Sequence, residues 1–510
     1  MTFDDQTSQS SPQPPDIGLA QSIVDGDARA ASIERFREQG IRLPTFAELR
    51  DPSTMDEATI KMLADVDASQ PDARNLFRVH WFNDRDRAGF MPVPDHIELP
   101  SSVTGVDARI VLALGARFPM IDTHKVLAAY ACLVPRVITG RFDPQAHRAI
   151  WPSTGNYARG GVAISRIMGC HGVAVLPAGM SQERFDWLDR WTLDPAEDII
   201  RTPGTESNVK EIYDACTMLA ADPQNVVINQ FSEMPNYLAH RTVTGPALDK
   251  VWQSLNGGKG RLAGFVSATG SAGTIGAGDY LKETYGTEIV AVEALECPTM
   301  LENGFGEHNI QGIGDKHIPL IHNVHNTDMV VAVSDSATDQ LDLLFQTPAG
   351  RDYLVSELGV EPALVELLEN LGYSSIANLL GAIAFADSRG LGSDDVVISV
   401  ATDPARLYNS GRPGMIDRDF GGTFAAADAA VAYERHLSDP SVHARLDLDE
   451  RETRRVFNLG YFTWVEQLNL DIDTFVARRE QSWWDAMVPT VDVWDQMIQQ
   501  FNDDTGQSAH

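Results

Sequence analysis

Cysteine, lysine and long apolar runs are all scarce in this chain of 510 residues. The four cysteines, Cys132, Cys170, Cys216 and Cys297, form no C-x-x-C pair, which excludes a zinc ribbon and a thioredoxin-type redox motif. So few thiols make no disulfide framework, and a reduced, cytoplasmic chain with buried cysteines and no metal site is expected. No stretch of about 18 apolar residues occurs, so no membrane-spanning helix is predicted. Positive charge is short as well: 40 Lys and Arg face 72 Asp and Glu, a formal net charge of −32. Such a surface repels phosphate backbones and anionic lipid, so neither nucleic acid nor membrane is an expected partner. The opening MTFDDQTSQSSPQPPD has no basic n-region and no apolar h-region, so no secretory signal is expected. Any lysine chemistry must come from seven residues: Lys61, Lys125, Lys210, Lys250, Lys259, Lys282 and Lys316.

What is present has the balance of a globular protein, 43% hydrophobic and 22% charged, long enough for several domains. Residues 1–16 are rich in Ser, Gln and Pro and read as a disordered tail. From about Ile17 to Phe90 the periodicity is helical, as in SIERFREQGI. Between about Arg109 and Val400, short apolar runs such as RIVLAL, GVAVLP, LAGFVSA, EIVAVEA and DVVISVA alternate with amphipathic helical stretches. That alternation predicts an α/β core of parallel strands covered on both faces. The last hundred or so residues return to helix.

In such sheets ligands bind where loops leave the carboxyl ends of strands. Three loops there carry chemistry. In LAGFVSATGSAGTIGAGDYLKE, a strand over Leu262–Ala268 feeds Gly270, Ser271, Ala272, Gly273 and Thr274 at the start of a helix. Unpaired N–H groups and the positive dipole end favour a phosphate there, and the bland alternative is a plain tight turn. In WPSTGNYARGG, Ser153, Thr154, Gly155 and Asn156 precede a helix starting near Tyr157, a nest for a small carboxylate or an ordinary N-cap. In FPMIDTHKVLAAYA, Lys125 begins an otherwise apolar helix, where a desolvated amine is suited to carbonyl chemistry. A nicotinamide-dependent oxidoreductase is the competing reading. Glu293 ends the next strand about 20 residues after the glycines, yet no G-x-G-x-x-G can be read from them.

Taken together, these segments resemble the cysteine synthase/cystathionine β-synthase family of pyridoxal-phosphate enzymes, the fold type II group. The likeness covers roughly residues 95–410 and adds MSQERFDWL, NQFSEMPNYLAHRTVTGP, HNIQGIGDKHIP and GYSSIAN in the family's order. It implies two three-layer α/β domains with mainly parallel sheets and helical extensions at both ends. The large cofactor-binding domain would comprise 91–121 and 233–410. The small domain, 122–232, would carry Lys125 and the substrate loop. The extensions would be 17–90 and 411–510. By the same resemblance, Lys125 would hold pyridoxal 5'-phosphate covalently and act as acid and base. Asn156 would bond the ring hydroxyl, Gly270–Thr274 the phosphate, and Ser374 the pyridine nitrogen. Ser153, Thr154, Gly155, Asn156 and Tyr157 would form the substrate loop.

The implied activity is that of a lyase or transferase acting at the β-carbon of an amino acid. It would proceed by elimination or replacement through an aminoacrylate, with a thiol, sulfide or another nucleophile. A cytoplasmic homodimer in amino-acid metabolism is the implied setting, and a catalytically silent regulatory relative is a further alternative. The sequence departs from the family at M-I-D-T-H-K-V, where G-G-S-V-K-D-R is usual, and at Tyr157, which replaces a small threonine. His240 and His308 read as scaffold histidines, Trp483 and Trp484 as packing, and Cys297 as a small buried hydrophobe.

Overall fold

A computed structural model describes residues 15–255, 257–314, 316–439 and 443–507. Most of the tail expected at 1–16 lies outside the described residues. Its Asp16 is held by Arg136 at 2.6 Å and Arg141 at 2.5 Å.

Two sheets organise the described residues. The larger contains β1 (His96–Leu99), β2 (Arg109–Leu114), β7 (Arg261–Ala268), β8 (Glu288–Ala294), β9 (Met329–Val333), β10 (Asp395–Ala401) and β11 (Ala444–Asp447). Their order is β1-β2-β10-β7-β8-β9-β11, antiparallel at both edges and parallel within. The smaller sheet has β3 (Arg148–Pro152), β4 (His171–Pro177), β5 (Ile199–Thr202) and β6 (Asn225–Val227) in the order β5-β4-β3-β6, all parallel. Central strands such as β9 are buried at every position, as strands covered by helices on both faces must be. This is the α/β architecture the apolar runs predict.

One strand comes from a segment expected to be helical. β11 lies in the 411–510 stretch and pairs with the edge of β9, in the register Ala444 with Ala332. Its residues, ARLD, are half-buried or exposed, so backbone bonding to an open sheet edge decides its conformation more than side-chain burial does.

Both terminal segments are built into the body of the molecule. The helix Gly26–Gln39 starts at Asp25, whose carboxylate accepts from the N–H groups of Asp27 and Ala28, and ends at the left-handed Gly40. Its Phe36 meets Phe501 of the last helix, Thr490–Thr505, edge-on at 5.2 Å. Asn502 exchanges two hydrogen bonds with the backbone of Leu43, and Asp495 caps the helix Phe46–Arg50 through the N–H groups of Phe46 and Ala47. Trp494 is fully buried and donates to the Ala20 carbonyl at 2.8 Å. Pro44 accepts from the hydroxyl of Tyr130, on the helix that Lys125 begins. Trp483 and Trp484 pack as expected, Trp484 wholly buried against Tyr237 and the fully enclosed Arg478.

Removing the Trp494 ring leaves a cavity where the two terminal segments meet. Trp494→Ala should cost about 3–5 kcal/mol of stability, read as a lower unfolding midpoint. A midpoint equal to wild type would mean that the last helix is a dispensable appendage.

Candidate active site

The carboxyl ends of β3, β6, β7 and β10 converge on Lys125. The helix Lys125–Ile138 begins at the lysine itself, and every later residue in it is buried. A side chain on the first turn of a buried helix is delivered to a fixed place. Lys125 Nζ donates to Gln230 Oε1 at 3.3 Å, just beyond β6, and to Ser271 Oγ at 3.1 Å, just beyond β7.

Two adjoining cavities share Lys125, Gly270, Ser271, Gly312 and Thr402. One is otherwise walled by Ala272, Gly273, Thr274 and Asn378, the other by Ser153, Thr154, Asn156, Tyr157 and Glu206. The three segments singled out in the sequence therefore meet in one place. Of the remaining lysines, Lys282 is tied to Asp328 at 2.8 Å, and Lys61, Lys210, Lys250, Lys259 and Lys316 are exposed.

The glycine-rich turn is tightly built. Ala272 is left-handed at φ 61°, a costly conformation for a residue with a Cβ. A Cβ at Gly273 would lie 2.3 Å from Asn236 Oδ1. Asn236 Nδ2 in turn donates to Ser271 Oγ at 3.1 Å, so the asparagine clamps the turn. The helix Ile275–Tyr285 follows, with its N-terminus facing the turn.

The other loop rests on buried charge. Gly155 (φ 139°) stacks against Arg184, whose Cδ would be 2.6 Å from a Cβ there. Arg184 is fully buried and bonds Gln311, Tyr408 at 2.9 Å and Asp403 at 3.5 Å. The helix Asn156–Ile167 starts at Asn156, whose Nδ2 donates to Asp403 Oδ2 at 2.6 Å while its Oδ1 accepts from Arg159 at 3.2 Å. Burial raises the Asp403 carboxyl above its usual range, and burial with Arg184 beside it brings Arg159 down to about 10. Asn156 thus lines the cavity with an amide already engaged on its inner side. Tyr157 is buried against Trp151 at 5.3 Å.

Behind Lys125 the N-terminal segment takes part. Trp81 stacks on His124 at 5.6 Å, and His124 meets His240 edge-on at 5.2 Å. Burial holds both imidazoles neutral, His240 at about 3, with His240 and Lys125 adding their repulsion at His124. His240 pairs with Thr244 at 2.9 Å and Trp81 donates to the same hydroxyl, a scaffold arrangement.

Glu293 is used elsewhere: its two oxygens accept from the N–H groups of Met300 and Leu301, each at 2.8 Å. It caps a short turn and offers no ribose contact. The oxidoreductase alternative loses its motivating residue.

A family model described as pyridoxal-phosphate dependent enzyme matches residues 122–403, more than half of the chain. This chain belongs to that family. Cysteine synthase B of Campylobacter jejuni is 34% identical over 184 residues, 34% of this chain and 57% of that protein. The chain thus spans less than two thirds of the length of that curated relative. In fold it is similar to cysteine synthase from Entamoeba histolytica, with a TM-score of 0.52 at 22% identity over 68% of this chain and 93% of the other. A hydrogen sulfide-producing enzyme from Fusobacterium nucleatum gives 0.50 at 22% identity, covering 67% of this chain and 90% of that one. The fold is type II, of the cysteine synthase/cystathionine β-synthase kind, as the motifs imply.

The residues around Lys125 fit the family's cofactor. Ser374, at the start of the helix Tyr373–Arg389, is buried with a hydroxyl that has no hydrogen-bond partner. It stands 3.6 Å behind the position a Cβ would take on Gly312, which lines both cavities. A dry, unpaired hydroxyl is costly unless a polar atom meets it, and a ring nitrogen would. The glycine-rich turn at a helix N-terminus suits a phosphate, and a single amine lies between the two.

Sequence reading did not single out Glu206, Gln230, Asp403 or Arg184. Glu206, Gln230 and Asp403 lie just past the carboxyl ends of β5, β6 and β10, so the strand-end rule was an available signal for these three. Arg184 lies within MSQERFDWL, one of the segments that carry the resemblance, but nothing local marked the arginine itself.

Proposed function

We propose that this chain is a pyridoxal-phosphate enzyme acting at the β-carbon of an amino acid, by elimination or by replacement with sulfide, a thiol or another nucleophile. The observation that carries this reading is one amine, Lys125 Nζ, between two polar loops at helix N-termini, with the unpaired Ser374 hydroxyl behind Gly312. When bound, the cofactor supplies an electron sink for a carbanion at the substrate α-carbon.

This chain's own residues do the rest. Lys125 would hold the cofactor, and its Nζ would take the substrate α-proton and return a proton later. The turn Gly270–Thr274 binds the phosphate through backbone N–H groups and the hydroxyls of Ser271 and Thr274. Ser153, Thr154 and Gly155, with the N–H groups near Tyr157, hold the substrate carboxylate at the start of a helix, where negative charge is favoured. Asn156 contacts the ring hydroxyl, kept in place by Asp403 and Arg159. Ser374 meets the ring nitrogen without a formal charge, which leaves a moderate sink and favours β-chemistry over transamination. The neutral His124 and His240 add no positive charge beside Lys125.

The cysteine synthase relative supports the amino-acid substrate class, and a homodimer is the assembly this reading carries with it. The test is a panel including O-acetyl-L-serine, L-cysteine and L-serine, added to the cofactor-loaded protein. At least one should shift the cofactor absorbance and release either pyruvate or a β-substituted amino acid. A cofactor-loaded protein whose spectrum no amino acid disturbs would instead be a silent family member.

A further inference from the structure

Glu206 is the feature that the chemistry above does not use. It sits in the loop after β5, is 2% exposed, and lines the cavity holding Lys125, Ser153 and Thr154. Its Oε1 is fixed by the Gly312 N–H at 2.8 Å, and its Oε2 is buried without a hydrogen-bond partner. No cation lies within ion-pair distance of it among the described residues. The Thr154 hydroxyl and the charge of Arg184 both act on it, and Arg184 is itself engaged by Asp403, Tyr408 and Gln311.

Leaving a carboxylate oxygen dry and unpaired is expensive, so such a group implies a partner that arrives with a ligand. On its far side Glu206 also walls a second cavity of about 200 Å³, with His308, Asn309, Gln311 and Asp335. Asp335 there accepts from the Asn309 N–H at 2.8 Å through one oxygen and leaves the other buried and unpartnered. The adjoining space is therefore rich in acceptors and acidic.

We propose that Glu206 is a specificity-determining residue whose carboxylate receives a hydrogen-bond donor or an ammonium group at the side-chain end of the amino-acid substrate. This rests on the amino-acid reading given above. An amino acid has three polar ends to place. Its α-amine goes to the Lys125 chemistry, and its α-carboxylate goes to the Ser153–Tyr157 loop. The side chain remains, and the acidic cavity beyond Glu206 gives it room. Burial raises the Glu206 carboxyl to about 7, so it is mostly charged at pH 8. A carboxylate there repels an anionic side chain as strongly as it attracts a cationic one.

Three amino acids of similar size separate the cases: L-2,4-diaminobutyrate, L-homoserine and L-aspartate. Each is titrated into the cofactor-loaded protein at pH 8, with the change in cofactor absorbance as the readout. Diaminobutyrate should bind at least about tenfold more tightly than aspartate, with homoserine between them. Glu206→Gln, which keeps the shape, should cut that ratio by about tenfold or more while the unliganded spectrum stays as in wild type. Equal binding of all three to wild type, tighter binding of aspartate, or a ratio untouched in Glu206→Gln would overturn the assignment of Glu206 alone. No spectral change with any of them would overturn the amino-acid reading, and this inference with it.

Discussion

Gly273→Asp should bind pyridoxal phosphate at least about tenfold more weakly than the wild-type chain. The first cause is steric. A Cβ at this position would come within 2.3 Å of Asn236 Oδ1 and 2.8 Å of its Cγ. Asn236 is not free to swing aside, because its Nδ2 also holds the Gln230 carbonyl at 3.0 Å and Ser271 Oγ at 3.1 Å. Moving it disturbs the turn and, through Ser271, the hydrogen bond from Lys125. The second cause is charge, since a carboxylate competes with the phosphate for the same helix N-terminus. Each hydrogen bond lost to a charged group costs about 1.5–3 kcal/mol, and about 1.4 kcal/mol is a factor of ten. Gly273→Ala keeps the clash without the charge and should fall between the two. Equilibrium dialysis of the folded proteins gives the comparison, and undiminished occupancy in Gly273→Asp would mean that the phosphate lies elsewhere.

Lys125→Ala should lose at least about a thousandfold in turnover, within the range for removing a positioned acid–base group and compounded by loss of the covalent anchor. The fold should survive, because every later residue of the helix it begins is buried, and Nζ bonds polar partners, Gln230 and Ser271, rather than packing in the core. Lys125→Arg should be equally inactive. A guanidinium keeps the charge but stays protonated, so it neither attacks a carbonyl nor takes a proton. Activity in the arginine variant would show that charge, and not the amine, is what the site needs.

How much of this could be read from the sequence depended on how local each signal was. Lys125 stood out because lysines are few and it opens an apolar helix. The glycine-rich turn stood out because a strand, a run of five small residues and a helix follow one another closely. Strands such as β9, buried on both faces, are unbroken apolar runs. By contrast β1, β3, β5 and β11, though β9 is no longer than β3, carry polar members that break the run. β11 in particular is defined by the edge it pairs with.

The buried polar support of the site was not legible for the same reason. Asn156 and Asp403 are 247 positions apart, and Arg184 reaches Tyr408 across 224. A buried charge is permissible only with its partner, and no local pattern names a partner so distant. Glu206 looked like any acidic loop residue until its surroundings were known. Likewise Trp81, from a segment with no motif, proved to stack on the histidine preceding Lys125.

The most direct measurement is chemical mapping of the amine that carries the cofactor. The loaded protein is reduced with borohydride, digested, and the pyridoxyl-labelled peptide sequenced. A single label on Lys125 is the expected result, since it is the lysine that lines the joined cavities. Label on Lys259, Lys282 or Lys316, or no label on a protein that retains the cofactor, would contradict the assignment of the site.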